Sequence, residues 1–193
     1  MAKDPAWVAV SEFVRHPGMV GSAFPASARM VRRMLAPLPW HRIGVLIEYG
    51  PGTGRFTFEA LKRMRSDAAL LAIETGEGFV EALRSNCDDR RLIVVRGTAK
   101  DVNRHLAEQG LDRADCILTG LPFSTLEKQE AKTIMRESAR ALTSSGVLAA
   151  YQMRSTIRPL LSRHFGKLRS SYELWNIPPC HLYWAMGKRE GSL

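Results

Sequence analysis

The chain has no run of about 18 uninterrupted apolar residues, so nothing in it reads as a transmembrane helix. It also lacks a secretory signal, because the opening MAKDPAWVAVSEF carries an acid early and has no apolar core segment. Cysteine is scarce. Cys87, Cys116 and Cys180 lie far apart and form no C-x-x-C pair, which argues against zinc or a disulfide framework and for free thiols in a reducing cytosol. Acid is the other shortage: 19 Asp and Glu stand against 28 Lys and Arg, leaving a net charge of +9. Such an excess favours polyanions, either an anionic membrane face or nucleic acid.

What is present suits one domain with a full core: 193 residues, 45% hydrophobic and 24% charged. Its organising stretch is VLIEYGPGTG, Val45 to Gly54. Val45 to Glu48 reads as a buried strand ending in an acid. Gly50, Gly52 and Gly54 then alternate through a turn, and helix-compatible residues resume at Phe56. A strand that breaks into a glycine turn and then a helix is the entry to a nucleotide-type site in a doubly wound sheet. Side chains in the turn would keep a ligand off the backbone. The spacing fails the dinucleotide pattern G-x-G-x-x-G in both registers, since Arg55 or Thr57 falls where the last glycine belongs. Gly54-Arg55-Phe56 likewise fails the phosphate-loop ending. Glu48 suits a cationic amino acid better than a pyrophosphate. A second buried strand, Ala68 to Glu74, places its terminal acid twenty residues past Gly54, the offset at which an acid holds ribose hydroxyls. This combination predicts a site for S-adenosyl-L-methionine; the alternative is a structural turn beside an incidental acid.

The first forty residues read as a helical appendage. Trp7 to Arg15 is helical in period, His16-Pro17-Gly18 ends it, and Ser27 caps a second helix that turns Met30, Val31, Met34 and Leu35 inward. Two roles are open to residues 1–40: covering an edge of the sheet or the mouth of the site, or lying on a bilayer with Trp7 and Phe13 dipping in. From 41 to 193 the pattern alternates. Helices are predicted over 55–65, 77–86, 101–109, 127–142 and 155–165, and strands over 68–74, 92–95, 115–119 and 146–151. A closing strand pair, 167–175 and 181–186, flanks Asn176-Ile177-Pro178-Pro179. Five β-α units predict a doubly wound α/β domain whose closing hairpin breaks the parallel order.

On HPGMVGSAFPAS (16–27), EYGPGTGRFT (48–57), the strand ending at Glu74, TGLPFS (119–124) and NIPP (176–179), the chain resembles bacterial phospholipid N-methyltransferases. More distantly it is similar to ribosomal RNA adenine dimethylases. The resemblance implies a Rossmann-like seven-stranded methyltransferase sheet with its last strand antiparallel. It implies that Glu48, Gly50, Gly52 and Gly54 border the methionine part of the cofactor and that Glu74, with Thr75 or Gly76 beside it, takes the ribose. The Gly97-Thr98-Ala99 turn would meet the adenine, with Thr98 standing where many relatives have Asp. Thr119 closes the cofactor set, and Leu121, Pro122 and Phe123 form the catalytic turn.

Adenine dimethylases carry Asn-Leu-Pro-Tyr where this chain has Gly120-Leu121-Pro122-Phe123. Without the carboxamide, the Leu121 carbonyl and an aromatic face remain to receive the acceptor. Phe123, with Tyr151 and Trp175 as further candidates, fits an alkylammonium better than a base, since rings attract such cations by roughly 0.5–2 kcal/mol. A side-chain base is optional in methyl transfer; His16, Tyr151 and His181 are candidates, and none is assigned. Basic residues gather in two sets, Arg15, Arg29, Arg32 and Arg33, and then Arg154, Arg158, Arg163, Lys167 and Arg169. The expectation is a cytoplasmic, metal-free N-methyltransferase peripherally associated with the inner membrane face, acting on the amine of phosphatidylethanolamine or its partly methylated forms. The alternatives are an RNA adenine methyltransferase, a small-molecule methyltransferase and a non-catalytic cofactor-binding module.

Overall fold

The computed structural model of the protein describes residues 26–189. The helix expected over Trp7 to Arg15, together with Phe13, Arg15 and His16, lies outside them. Seven strands form one sheet: β1 (Val45–Tyr49), β2 (Ala69–Glu74), β3 (Leu92–Arg96), β4 (Ala114–Thr119), β5 (Leu142–Gln152), β6 (Phe165–Glu173) and β7 (Cys180–Lys188). Their order is β3-β2-β1-β4-β5-β7-β6, and β7 runs antiparallel to both of its neighbours. The antiparallel last strand agrees with the predicted break in the parallel order.

The helices are α1 (Ala28–Leu35), α2 (Arg55–Leu61), α3 (Glu77–Ser85), α4 (Val102–Glu108), α5 (Lys128–Ala141) and α6 (Arg158–His164). Successive residues of a strand point to opposite faces, and β1 shows the consequence. Ile47 and Tyr49 join one core with α4, α5 and α6, while Leu46 joins the other with α1 and α2. Ser27 caps α1 as expected, its Oγ accepting from the Met30 N–H at 3.2 Å. Met30, Val31, Met34 and Leu35 are all buried. Two indoles satisfy carbonyls left over at the end of that helix: Trp40 Nε1 donates to Leu35 and Trp184 Nε1 to Met34.

The two largest shifts from the predicted boundaries each have a local reason. α2 stops at Leu61 rather than Arg65, because the Arg91 guanidinium takes the Met64 and Arg65 carbonyls and holds that segment in a turn. β5 starts at Leu142 rather than Gly146. Its pairing with β4 jumps from Ala114–Leu142 to Cys116–Val147, so Thr143-Ser144-Ser145-Gly146 forms an irregularity inside a strand rather than a loop before one.

The chain runs outward from β1 through β2 to β3, then returns to β4 on the other side of β1. The reversal leaves a crevice at the carboxyl ends of β1 and β4, where open α/β sheets hold ligands.

Candidate active site

The crevice holds a cavity of about 480 Å³. Its first wall is the glycine turn. Gly50, Gly52 and Gly54 all have positive φ, at 64°, 56° and 80°, a region that side chains rarely enter. They do different work. A Cβ at Gly52 would meet nothing within 4 Å, so that glycine keeps open space at the cavity, whereas one at Gly54 would strike Leu83 and Phe58 at 2.7 Å. Gly54 therefore serves packing against α2 and α3 and does not line the cavity.

Glu74, at the end of β2, staples two turns together. Its Oε1 accepts from the Thr75 and Gly76 N–H groups at 2.8 and 2.9 Å, and its Oε2 from the Gly52 N–H at 3.1 Å. Hydrogen bonds to a carboxylate are the stronger kind, so Glu74 fixes the cradle whose wall it also lines. Glu48 behaves otherwise. It is buried, accepts from Thr57 Oγ1 at 2.6 Å in the first turn of α2, and is not part of the cavity wall. Burial pushes its carboxyl up to about 7, opposed by the Thr57 hydroxyl and reinforced by the Glu74 charge. The glycine turn, Glu74, Thr75, Thr98 and Ala99 do come together around one space. Thr98 spends its hydroxyl on the Lys100 N–H at 3.3 Å, which starts the short helical turn after β3.

On the acceptor side the structure rearranges the expected parts. The Leu121 carbonyl is already engaged, accepting from Gln152 Nε2 at 2.7 Å and from the Phe123 N–H at 2.9 Å. Gln152 Oε1 in turn accepts from the Phe123 N–H at 3.2 Å, so this one buried side chain clamps the Leu121-Pro122-Phe123 turn. Phe123 packs in the core instead of facing the cavity. Thr119 is buried too, its Oγ1 accepting from the Leu121 N–H. Trp175 is 76% exposed and outside the cavity wall. Tyr49, Phe56, Phe79 and Tyr151 are the aromatic residues lining the cavity, and Phe56 stacks on Tyr151 with ring centroids 4.6 Å apart and planes 19° apart. Of the candidate substrate rings, only Tyr151 lines the cavity.

Gly120 explains why Tyr151 fits. A Cβ at Gly120 would collide with the Tyr151 hydroxyl and ring. The phenol therefore occupies the room that a side chain at 120 would need. Burial raises the Tyr151 hydroxyl well above its ordinary value, aided by the nearby Glu48 and Glu74 carboxylates, so it stays protonated and neutral. Sequence reasoning missed Phe56, Gln152, Ala26, Met30 and Asn176. The last three reach the wall from segments far apart in the chain, joined where Asn176 Oδ1 accepts from the Ser27 N–H at 2.9 Å.

A family model described as a methyltransferase domain matches residues 46–146, which contain the glycine turn, Glu74 and the turn after β4. The chain belongs to that methyltransferase family. It is a methyltransferase that uses S-adenosyl-L-methionine, and the residues present fit this cofactor: an open glycine cradle, a carboxylate at its edge and no phosphate-binding ending. The chain is 26% identical over 183 residues to the ornithine lipid N-methyltransferase of Singulisphaera acidiphila, covering 94% of this chain and 95% of that protein. Among solved structures it shares its fold with a putative O-methyltransferase from Klebsiella pneumoniae (TM-score 0.70, 15% identity, 96% of this chain and 91% of that one). It shares it also with the N-methyltransferase NodS from Bradyrhizobium japonicum, solved with S-adenosyl-L-homocysteine (TM-score 0.66, 13% identity, 83% and 85%).

Proposed function

We propose that this methyltransferase methylates the amine of a membrane lipid head group. Phosphatidylethanolamine and its partly methylated forms are the acceptors the sequence resemblance implies, and an ornithine-headed lipid is the one the Singulisphaera relative implies. The observation that carries the reading is the exchange at Gly120. The space of a base-gripping carboxamide belongs to the Tyr151 hydroxyl, over an aromatic wall suited to an alkylammonium.

Gly50, Gly52 and Glu74 would hold the cofactor, with Thr75, Thr98 and Ala99 along its far end. When bound, it supplies a methyl group already activated by a sulfonium charge. The protein's remaining task is alignment and exclusion of water. Tyr151 Oη accepts one N–H of the neutral amine and so turns the lone pair, while Phe56 stabilises the single positive charge that develops on nitrogen during each transfer, a proton leaving to water before the next. Gln152 keeps the Leu121-Pro122-Phe123 turn rigid beneath them. Exposed Met153 and half-buried Pro178 line the cavity and mark its mouth, where the head group enters and the acyl chains stay outside. From the segment before the sheet, Ala26 and Met30 cover part of the cavity. The working place is the cytoplasmic face of the membrane; among the described residues no helix is long and apolar enough to cross it.

Methyl-labelled cofactor offered with vesicles of phosphatidylethanolamine, vesicles of ornithine lipid and total RNA tests the assignment. Label in the organic extract supports it and names the head group; label confined to RNA overturns it. Tyr151→Phe is expected to lower kcat on the lipid roughly tenfold, the worth of one hydrogen bond, with cofactor affinity unchanged.

A further inference from the structure

Large apolar side chains are rarely left in water as a group, yet the loop between β6 and β7 presents three. Leu174, Trp175 and Ile177 are 68%, 76% and 75% exposed. Their exposure is built. Glu173, just before them, is buried beneath α1, where Arg33 Nη1 reaches its Oε2 at 2.8 Å and Arg29 its Oε1 at 3.4 Å. The same Oε1 accepts from the Trp175 N–H at 3.0 Å. Burial works against the Glu173 charge, but Arg33, the Trp175 N–H and Arg29 outweigh it and hold the carboxyl below its usual range. On the other side, Asn176 is buried between the Ser27 N–H and the Pro178 carbonyl. Anchors at 173 and 176 thus force the residues at 174, 175 and 177 outward.

The loop is also the rim of the cavity, to which Asn176, Pro178 and Cys180 belong. Met153, 42% exposed and on the same rim, follows Gln152, which pairs with His181 at the start of β7. Exposed Arg154 comes next, and Arg29 lies on the α1 side, half of its side chain in water. A tryptophan and two aliphatic residues projecting between arginines match the boundary of an anionic bilayer, where indole rings settle at head-group level and arginines meet phosphates. Three projecting side chains offer only a few hundred Å², well short of the roughly 800 Å² per partner of a stable protein interface.

We propose that the β6–β7 loop is the docking tip of the enzyme, entering an anionic phospholipid bilayer with Leu174, Trp175 and Ile177 and so bringing the cavity mouth down onto the head groups. The inference rests on the lipid reading above and adds the surface that delivers the substrate.

The test uses the full chain and vesicles of phosphatidylethanolamine and phosphatidylglycerol, with and without brominated acyl chains. The wild type is expected to sediment with the vesicles, and brominated chains are expected to quench its tryptophan emission. Trp175→Phe should remove most of that quenching, and Leu174→Ser with Ile177→Ser should weaken vesicle affinity at least tenfold, with cofactor affinity by calorimetry unchanged. Equal sedimentation of the double variant overturns the proposal, as does quenching that survives in Trp175→Phe. Trp175 shielded from aqueous acrylamide before vesicles are added, by the chain's own residues or by a second copy, overturns it as well. The two readings fail separately: tip-dependent binding without label in lipid sinks the substrate, and label in lipid that the double variant leaves untouched sinks the tip.

Discussion

The two sides of the crevice are built on different principles. The cofactor side, at the ends of β1, β2 and β3, is made of backbone: glycines at positive φ, N–H groups turned inward and one carboxylate that ties two turns together. The acceptor side, at the ends of β4, β5 and β7, is made of side chains from distant segments. Tyr151 fills the space at Gly120, Gln152 clamps the turn at 121–123, and Asn176 joins Ser27 across 149 residues. A backbone cradle demands particular residue types at fixed spacing, whereas a side-chain wall demands only that some side chain reach the spot. The first keeps the cofactor common to a broad family, and the second lets the acceptor vary.

The comparison breaks most easily at Glu74. Glu74→Ala removes the acceptor of three backbone N–H groups, and hydrogen bonds to a charged group are worth about 1.5–3 kcal/mol each. Cofactor affinity by calorimetry should fall roughly a hundredfold or more. Retained affinity would show that the cradle stands without its staple.

Glu48 sharpens the same side through pH. A carboxyl whose folded pKa is raised keeps its proton after the unfolded chain has lost its own. Its contribution is therefore fully present below about 4.5 and is lost as pH rises to about 7. The loss amounts to about 3 kcal/mol over that window at about 1.4 kcal/mol per unit. Urea melts of Glu48→Gln should lack this slope and show a more stable protein than the wild type at pH 8. Parallel curves for the two proteins would remove Glu48 from the account.

On the acceptor side, Gly120→Ala forces Tyr151 to move. Overpacking of this kind costs about 1–3 kcal/mol, and methyl transfer should suffer while cofactor binding does not. Adding Tyr151→Ala should return much of the lost stability, an interaction that a double-mutant cycle reads directly. Strict additivity would mean that the two positions do not share the space. Smallest of all, Ser27→Ala removes the cap of α1 and should cost about 1 kcal/mol in thermal or urea melts.

The same division decides how much was legible in the sequence. The alternation of strands and helices, the closing hairpin that breaks the parallel order, the Ser27 cap and the bend at Gly50–Gly54 with its acid at 74 all follow from local residue chemistry. The start of β5 was not legible, since Thr-Ser-Ser-Gly has loop composition and only pairing with β4 makes it part of a strand. Nor was the aromatic wall. Phe123 and Phe56 are equally apolar in sequence, and only the packing of β4 against α5 and of α2 against β5 decides which ring meets the cavity. Gly120 did carry a signal, the absence of a side chain where the adenine-dimethylase motif has Asn, but not the identity of the group that fills the room.

A crystal structure with S-adenosyl-L-homocysteine bound tests the division most directly. The account predicts ribose hydroxyls on the Glu74 carboxylate and the sulfur turned toward the Gly120–Tyr151 side of the crevice. A by-product seated away from Glu74, against the rim at Asn176 and Pro178, would contradict it.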